Sequence, residues 1–174
     1  MELNRVYFYT ATILHWQKLL ARDKYKDMIL ASLQWLVDRQ KIRLYGYVIM
    51  PNHIHFIWEL LNMNGREKPH ASFMKHTGHL FLKDLREHHA QILPCFVVNN
   101  TTRDYQFWQR DALPVEILSH RMLEQKLRYL HNNPLQERWN LATSPEAYQY
   151  SSASFYEDGT DPYGIVTHYL DRLG

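Results

Sequence analysis

His53-Ile54-His55 offers chemistry more plainly than any other stretch of this chain. In an extended segment alternate side chains share a face, so the two imidazoles stand on one side, roughly 6–7 Å apart at the backbone. At that spacing they can converge on one divalent metal ion. Ile54, Phe56 and Trp58 then face the other way. Two surface histidines beside a turn would give the same string. A second group lies far downstream, where Met122, Lys126, Tyr129 and Asn133 recur at helical spacing. Tyr129 and Asn133 are four apart, hence neighbours one turn from each other. A protonated phenol, with a pKa of about 10, is a poor nucleophile. It can attack phosphorus when a metal polarises the phosphate and stabilises the leaving oxygen. The Asn133 amide oxygen could complete a two-histidine metal site. The plainer alternative makes Tyr129 a half-buried packing residue and Asn133 the last residue of a helix before Pro134.

Both groups need elements to position them. Residues 4–13 alternate apolar and polar and are rich in aromatic and β-branched types, which predicts a strand. Tyr25, Met28, Ile29, Leu33, Leu36 and Val37 recur at helical spacing, which predicts an amphipathic helix over 23–40. Residues 42–50 form a second strand, apolar enough to be covered on both faces. Pro51-Asn52 is a tight-turn pair, so 53–60 returns as an antiparallel third strand. Ser72 is placed to cap a helix running to residue 89, with Met74, Phe81, Leu82 and Leu85 inward. Residues 94–103 read as irregular, and 105–118 as a fourth strand interrupted near Pro114. Ser119 caps a third helix whose core stripe is Leu123, Leu127 and Leu130, and Pro134 ends it. The order is α+β, a ferredoxin-like or RRM-like βαββαβ sandwich. Two helices cover one face of an antiparallel sheet, and the other face is left for the C-terminal helix that carries the tyrosine, or for a ligand.

The chain has 174 residues, 45% hydrophobic and 22% charged, which fits one globular domain and excludes a disordered chain or a coiled coil. The expected organisation is a single domain over 1–174, with 1–139 as core and 140–174 as a turn-rich acidic tail. Cys95 stands alone, so there is no disulfide framework and no cysteine-based zinc site. Apolar runs are too short to span a bilayer, and the first residues lack the pattern of a signal peptide. A soluble, cytoplasmic, nucleoid-associated protein with no membrane partner is expected. Residues 1–139 hold 19 Lys and Arg against 13 Asp and Glu, a net +6, whereas 140–174 hold 1 against 5, a net −4. A basic body suits a polyanionic partner. The aromatics (5 Trp, 12 Tyr, 7 Phe) can fill a core or stack on bases. Trp108 and Arg110, expected where the fourth strand approaches the site, and Lys126 and Arg128 on the third helix are candidates for holding DNA; a solvated helix face is the alternative. The other nine histidines read as surface residues. Asp104 and Asp111 have no partner carboxylate at a usable spacing.

The strings YVIMPNHIHFIWE, QKLRYLHNNPLQERW and PEAYQYSSASFY, with SFMKHTGHLFLKDL and YQFWQRDALPVEI between them, resemble the HUH-type single-tyrosine transposases. The resemblance is to the REP-associated tyrosine transposase branch, domesticated relatives of insertion-sequence transposases, and it covers most of the chain. HIH alone is a weak signal; HIH after Met-Pro-Asn, with Tyr-x-x-x-Asn-Pro at this separation, is specific. The resemblance implies a DNA strand transferase that cuts single-stranded DNA near palindromic hairpins through a covalent 5′-phosphotyrosine bond, then rejoins it to another 3′-OH. Carried over by residue, Tyr129 is the nucleophile, and His53, His55 and Asn133 are ligands of a divalent metal, Mg²⁺ or Mn²⁺. Imidazole would also accept Zn²⁺, Ni²⁺ or Co²⁺. Such proteins occur as homodimers and as monomers, and both states stay open. Two other classes compete: an RRM-like nucleic-acid-binding module without catalysis, and a metal-dependent nuclease that uses water.

Overall fold

The computed structural model describes residues 1–100, 103–110 and 112–173. β1 (Val6–Thr12) is a run of aromatic and β-branched residues, α1 spans Asp23–Asp38, and β2 (Ile42–Ile49) and β3 (His53–Leu60) form the hairpin around Pro51-Asn52. At the turn, the Met50 N–H donates to the His53 carbonyl at 2.8 Å. α2 follows at Pro69–His88, then a small antiparallel ribbon of β4 (Val97–Asn100) and β5 (Arg103–Tyr105), then β6 (Leu113–Glu116), α3 (His120–Asn132) and the short α4 (Ala153–Asp158). The main sheet runs β2-β3-β1-β6, antiparallel throughout, which is the split βαβ order the sequence predicts.

Side-chain alternation then divides the molecule. Phe56 and Trp58 meet Phe73 of α2, Tyr9 packs against Trp58, and Tyr25 of α1 packs edge-on against Phe81 at 5.6 Å. This aromatic layer is the main core. On the opposite face α3 lays down Leu123, Leu127 and Leu130, the predicted stripe. Ser119 caps it, its hydroxyl accepting from the Met122 N–H at 3.2 Å.

α3 comes close because of Gly46. β2 and β3 shift register between Leu44 and Gly46, a local bulge. A Cβ at Gly46 would stand 2.6 Å from Leu127 Cδ2 and 3.6 Å from Leu130 Cδ2. The bare backbone is therefore the seat of the helix.

Four details differ from the sequence reading. α2 starts at Pro69, whose missing N–H suits a first helical position, and Ser72 instead bonds back to the Pro69 carbonyl at 3.0 Å. Its buried side chains include Phe73 and Thr77, while Met74 and Leu82 are only half-buried. The segment 94–103, read as irregular, instead holds the end of a 3₁₀ stretch (Ala90–Phe96), β4 and the first residue of β5. Pro114 lies inside β6 opposite Tyr9; among the described residues β6 pairs only with β1, so its outer edge needs no donor from proline.

The acidic segment 140–174 is turn-rich as expected, yet much of it is packed. Residues 148–152 run along β2: the Ile49 N–H donates to the Tyr150 carbonyl and the Ser152 N–H to the Tyr47 carbonyl, both at 2.9 Å. Tyr148 and Tyr150 are buried, and the Tyr148 hydroxyl donates to the Ile49 carbonyl. No helix among the described residues is long and apolar enough to cross a membrane.

Gly46→Ala is expected to destabilise the protein by about 1–3 kcal/mol, the usual cost of overpacking, because Leu127 must leave its seat. Denaturant unfolding of the two proteins measures it; equal midpoints would mean that α3 does not depend on this contact.

Candidate active site

β3 carries His53 and His55 onto the face covered by α3, and their rings lie 4.8 Å apart. The register sets Thr10 beside His55, with Thr10 Oγ1 and His55 Nδ1 2.8 Å apart. Phe8, two residues earlier on β1, stacks on the His55 ring at 5.1 Å. From above, Tyr129 of α3 meets His55 edge-on at 5.4 Å and Phe8 at 5.9 Å. The ring is thus pinned on two sides, yet 46% of the residue is exposed, so a strand can reach it. Asn133, one turn on, is fully buried.

The turn fixes the His53 tautomer. Asn52 Nδ2 donates to the Trp16 carbonyl at 3.3 Å, which orients the amide so that Oδ1 faces His53 Nδ1 at 2.7 Å. An amide oxygen can only accept, so Nδ1 carries the proton and Nε2 keeps a free lone pair. The Thr10 hydroxyl can donate or accept; in the tautomer in which His55 Nδ1–H donates to it, Nε2 of that ring is free as well. A second bond holding each ring is the arrangement metal-binding histidines need.

Burial is the main reason both imidazoles stay neutral. It pushes His53 down to about 4, with the Arg138 charge adding and Asn133 opposing. It pushes His55 down to about 3, with His53, Lys126 and Arg138 adding. Neutral imidazole is the ligand form. Both polar atoms of the Asn133 amide are buried; the amide lies close enough to the His53 ring to bias its protonation, yet it makes no hydrogen bond of ordinary geometry. A buried amide with no partner is costly unless something else binds it. Among the described residues no three of His, Cys, Asp and Glu gather around a common point. The donor set that remains, two imidazole nitrogens and one amide oxygen, fits a divalent ion.

Of the residues singled out in the sequence, His53, His55, Tyr129, Asn133 and Lys126 come together. Lys126 Nζ lies 4.7 Å above the Phe8 ring and 6.0 Å from that of Tyr129. Arg128 does not join them; it is exposed on the outer side of α3. Trp108 and Arg110 belong to the other face. Trp108 is buried, with its indole N–H donating to Thr77 of α2 at 3.0 Å. Arg110 lines a groove of about 710 Å³ with Lys75, His79, Arg86 and Asp104. The backbone at 107–109 pairs with the end of β1, the Gln109 N–H donating to the Thr12 carbonyl at 2.8 Å, but the side chains of Trp108 and Arg110 turn to α2 and so away from the histidines. Asp111 lies outside the described residues. His131, read as a surface histidine, is half-buried and bonded to Ser152 Oγ at 2.9 Å; burial holds it near 4.

Sequence reasoning missed Phe8, Thr10, Asn52, Arg138 and Trp139. The Trp139 ring lies 5.8 Å from that of His53. Thr10 and Phe8 follow only once the β1–β3 register is known. Asn52 reads as a turn residue, and its position directly before the first histidine was the available signal.

These histidine shifts fix the pH response of the metal-free protein. His53, His55 and His131 are neutral when folded, while unfolded histidine titrates at about 6.5. Below about 6.5 the unfolded chain binds more protons. The stability they contribute is therefore full above that pH and is lost as pH falls towards 4, by up to about 3 kcal/mol for each group. Unfolding in denaturant at pH 7 and pH 5, with EDTA present, is expected to give the lower stability at pH 5. Histidine NMR signals that all titrate above pH 6 would contradict the burial argument.

Comparison with protein-family models and with curated proteins finds no match. Among solved structures, the chain is similar to a REP-associated tyrosine transposase bound to a REP hairpin, with 17% identity and a TM-score of 0.61. The similarity covers 97% of this chain and 90% of that one. At that identity it is the fold that the two share: a mixed α/β domain with an antiparallel four-stranded sheet.

Proposed function

We propose that the protein is a metal-dependent single-stranded DNA transesterase of the transposase type, with Tyr129 as its nucleophile. The observation that carries this is the convergence of the half-exposed Tyr129 with two neutral imidazoles and a partnerless buried amide. The solved structure that shares the fold is described as bound to a REP hairpin, which favours a hairpin-bearing DNA strand as the substrate class. His53, His55 and Asn133 would hold Mg²⁺ or Mn²⁺, which when bound polarises the phosphate under attack.

The chain's own residues do the rest. Phe8 and His55 hold the Tyr129 ring so that its oxygen projects from α3. That oxygen attacks phosphorus, forming a tyrosyl–phosphate bond as the bond to the 3′ oxygen breaks. The phenol proton is lost, and the released 3′ oxygen takes one up. The 5′-phosphate stays on Tyr129, so a second 3′-OH can reverse the step on another strand without a nucleotide cofactor. Lys126 and Arg138 supply positive charge where the phosphate would lie.

Tyr129→Phe removes only the hydroxyl and keeps the ring contacts with Phe8 and His55. It is expected to abolish both strand cleavage and the covalent adduct, with metal and DNA binding retained. Wild type and variant are incubated with a labelled hairpin strand and Mn²⁺, then resolved on a denaturing gel, and any adduct is mapped by peptide digestion. Cleavage persisting in the variant would point to water as nucleophile. No cleavage by either protein would leave a binding module.

Asn52→Ala should weaken Mn²⁺ binding about 10- to 100-fold, because His53 loses the acceptor that orients it. Calorimetric titration checks this; an unchanged affinity would remove His53 from the metal site.

A further inference from the structure

The loop after β1 is bent in a way its residues resist. His15 has φ 53° and ψ 28°, and Trp16 has φ 54°; both lie in the left-handed region. That region disfavours any residue with a Cβ, and a bulky one most of all. Two consecutive non-glycine residues there persist only where the surroundings impose it. The surroundings do: the Ile13 N–H donates to the Asn52 carbonyl at 2.8 Å, the Leu14 N–H to the Phe107 carbonyl at 2.7 Å, and Asn52 Nδ2 to the Trp16 carbonyl at 3.3 Å. Packing does not explain the bend, since Trp16 remains 65% exposed.

The anchor of this loop is Asn52, the same side chain that orients His53. Two residues on, Lys18 Nζ lies 5.9 Å from the centre of the Trp139 ring, and the Arg138 guanidinium lies 5.6 Å from it. Among the described residues neither cation is paired with a carboxylate. Trp139 in turn stands against His53. An exposed indole on an imposed backbone, with two unneutralised cations and a second indole beside the metal-ligand candidate, matches what unpaired nucleic acid needs: a π-face for the base and positive charge for the backbone.

We propose that residues 14–18 together with Arg138 and Trp139 form a subsite for an unpaired nucleotide flanking the phosphate that Tyr129 attacks, its base stacked on Trp16 and its phosphates held by Lys18 and Arg138. This rests on reading the site as one that takes a single DNA strand. The strained loop then has a purpose: it holds the indole out in solvent before the strand arrives, so little ordering is left to binding.

Fluorescence anisotropy with a labelled oligothymidylate tests this, because stacking on an indole does not depend on sequence and the probe need not be cut. Trp16→Ala is expected to raise Kd about 10-fold, the loss of one base–aromatic stack. Trp16→Phe keeps a ring and should recover most of that. A strand of abasic deoxyribose phosphates of the same length separates stacking from charge. Wild type should bind it about 10-fold more weakly than oligothymidylate, and Trp16→Ala should bind both about equally. Lys18→Ala should weaken both probes and flatten the dependence of binding on salt. Equal affinity of wild type and Trp16→Ala for oligothymidylate overturns the subsite. So does an equal loss on both probes, which would mark Trp16 as structural. The transesterase reading fails separately: a Trp16 effect on oligothymidylate with no adduct on any hairpin strand keeps the subsite and removes the nucleophile.

Discussion

The candidate site depends on how closely one helix can approach bare backbone. α3 buries only three leucines, and two of them meet Gly46, where no side chain intervenes. So narrow a footprint fixes the helix only if the fit is tight. A second contact lies beside the first. Ser152 Oγ accepts from the Tyr47 N–H at 3.0 Å and bonds His131 of the helix at 2.9 Å. Held by both, the C-terminal half of the helix has little freedom to roll, and the rotation of the helix aims Tyr129 and Asn133.

The electrostatics of the site are of one piece. Lys126 and Arg138 make this end of the sheet attractive to phosphate, and the same two charges help hold His55 in its neutral form. The hydrogen bonds of Asn52 and Thr10 add direction, since each engages the Nδ1 of its histidine and orients the ring. Few side chains serve two purposes so economically, and Asn52 is the clearest case, tied at once to a histidine and to the strained loop.

Much of this was legible in the sequence where a pattern is local. The bounds of β3, the leucine stripe of α3, the Ser119 cap and the shared face of His53 and His55 all follow from periodicity or turn chemistry between near neighbours. What was not legible depends on contacts across the chain. Pro114 looks like an interruption until β6 is seen to be an edge. Trp108-Gln109-Arg110 does meet the end of β1, but that its side chains turn to α2 shows only in the folded chain. Phe8 and Thr10 look like ordinary strand residues until register sets them beside His55. Positive φ at His15 and Trp16 has no local signal, because neither residue favours it.

The pairing of residues 148–152 with β2 has a consequence for the order in which the molecule is made. The histidine hairpin leaves the ribosome early and can pair with β1 at once, whereas α3 emerges far later and its clamp, Ser152, later still. Until then the outer edge of β2 is bare and the helix rests on Gly46 alone. Contacts of such long sequence separation close slowly. The nascent chain therefore carries its two imidazoles before its tyrosine is aimed, and the complete constellation waits until Ser152 has emerged.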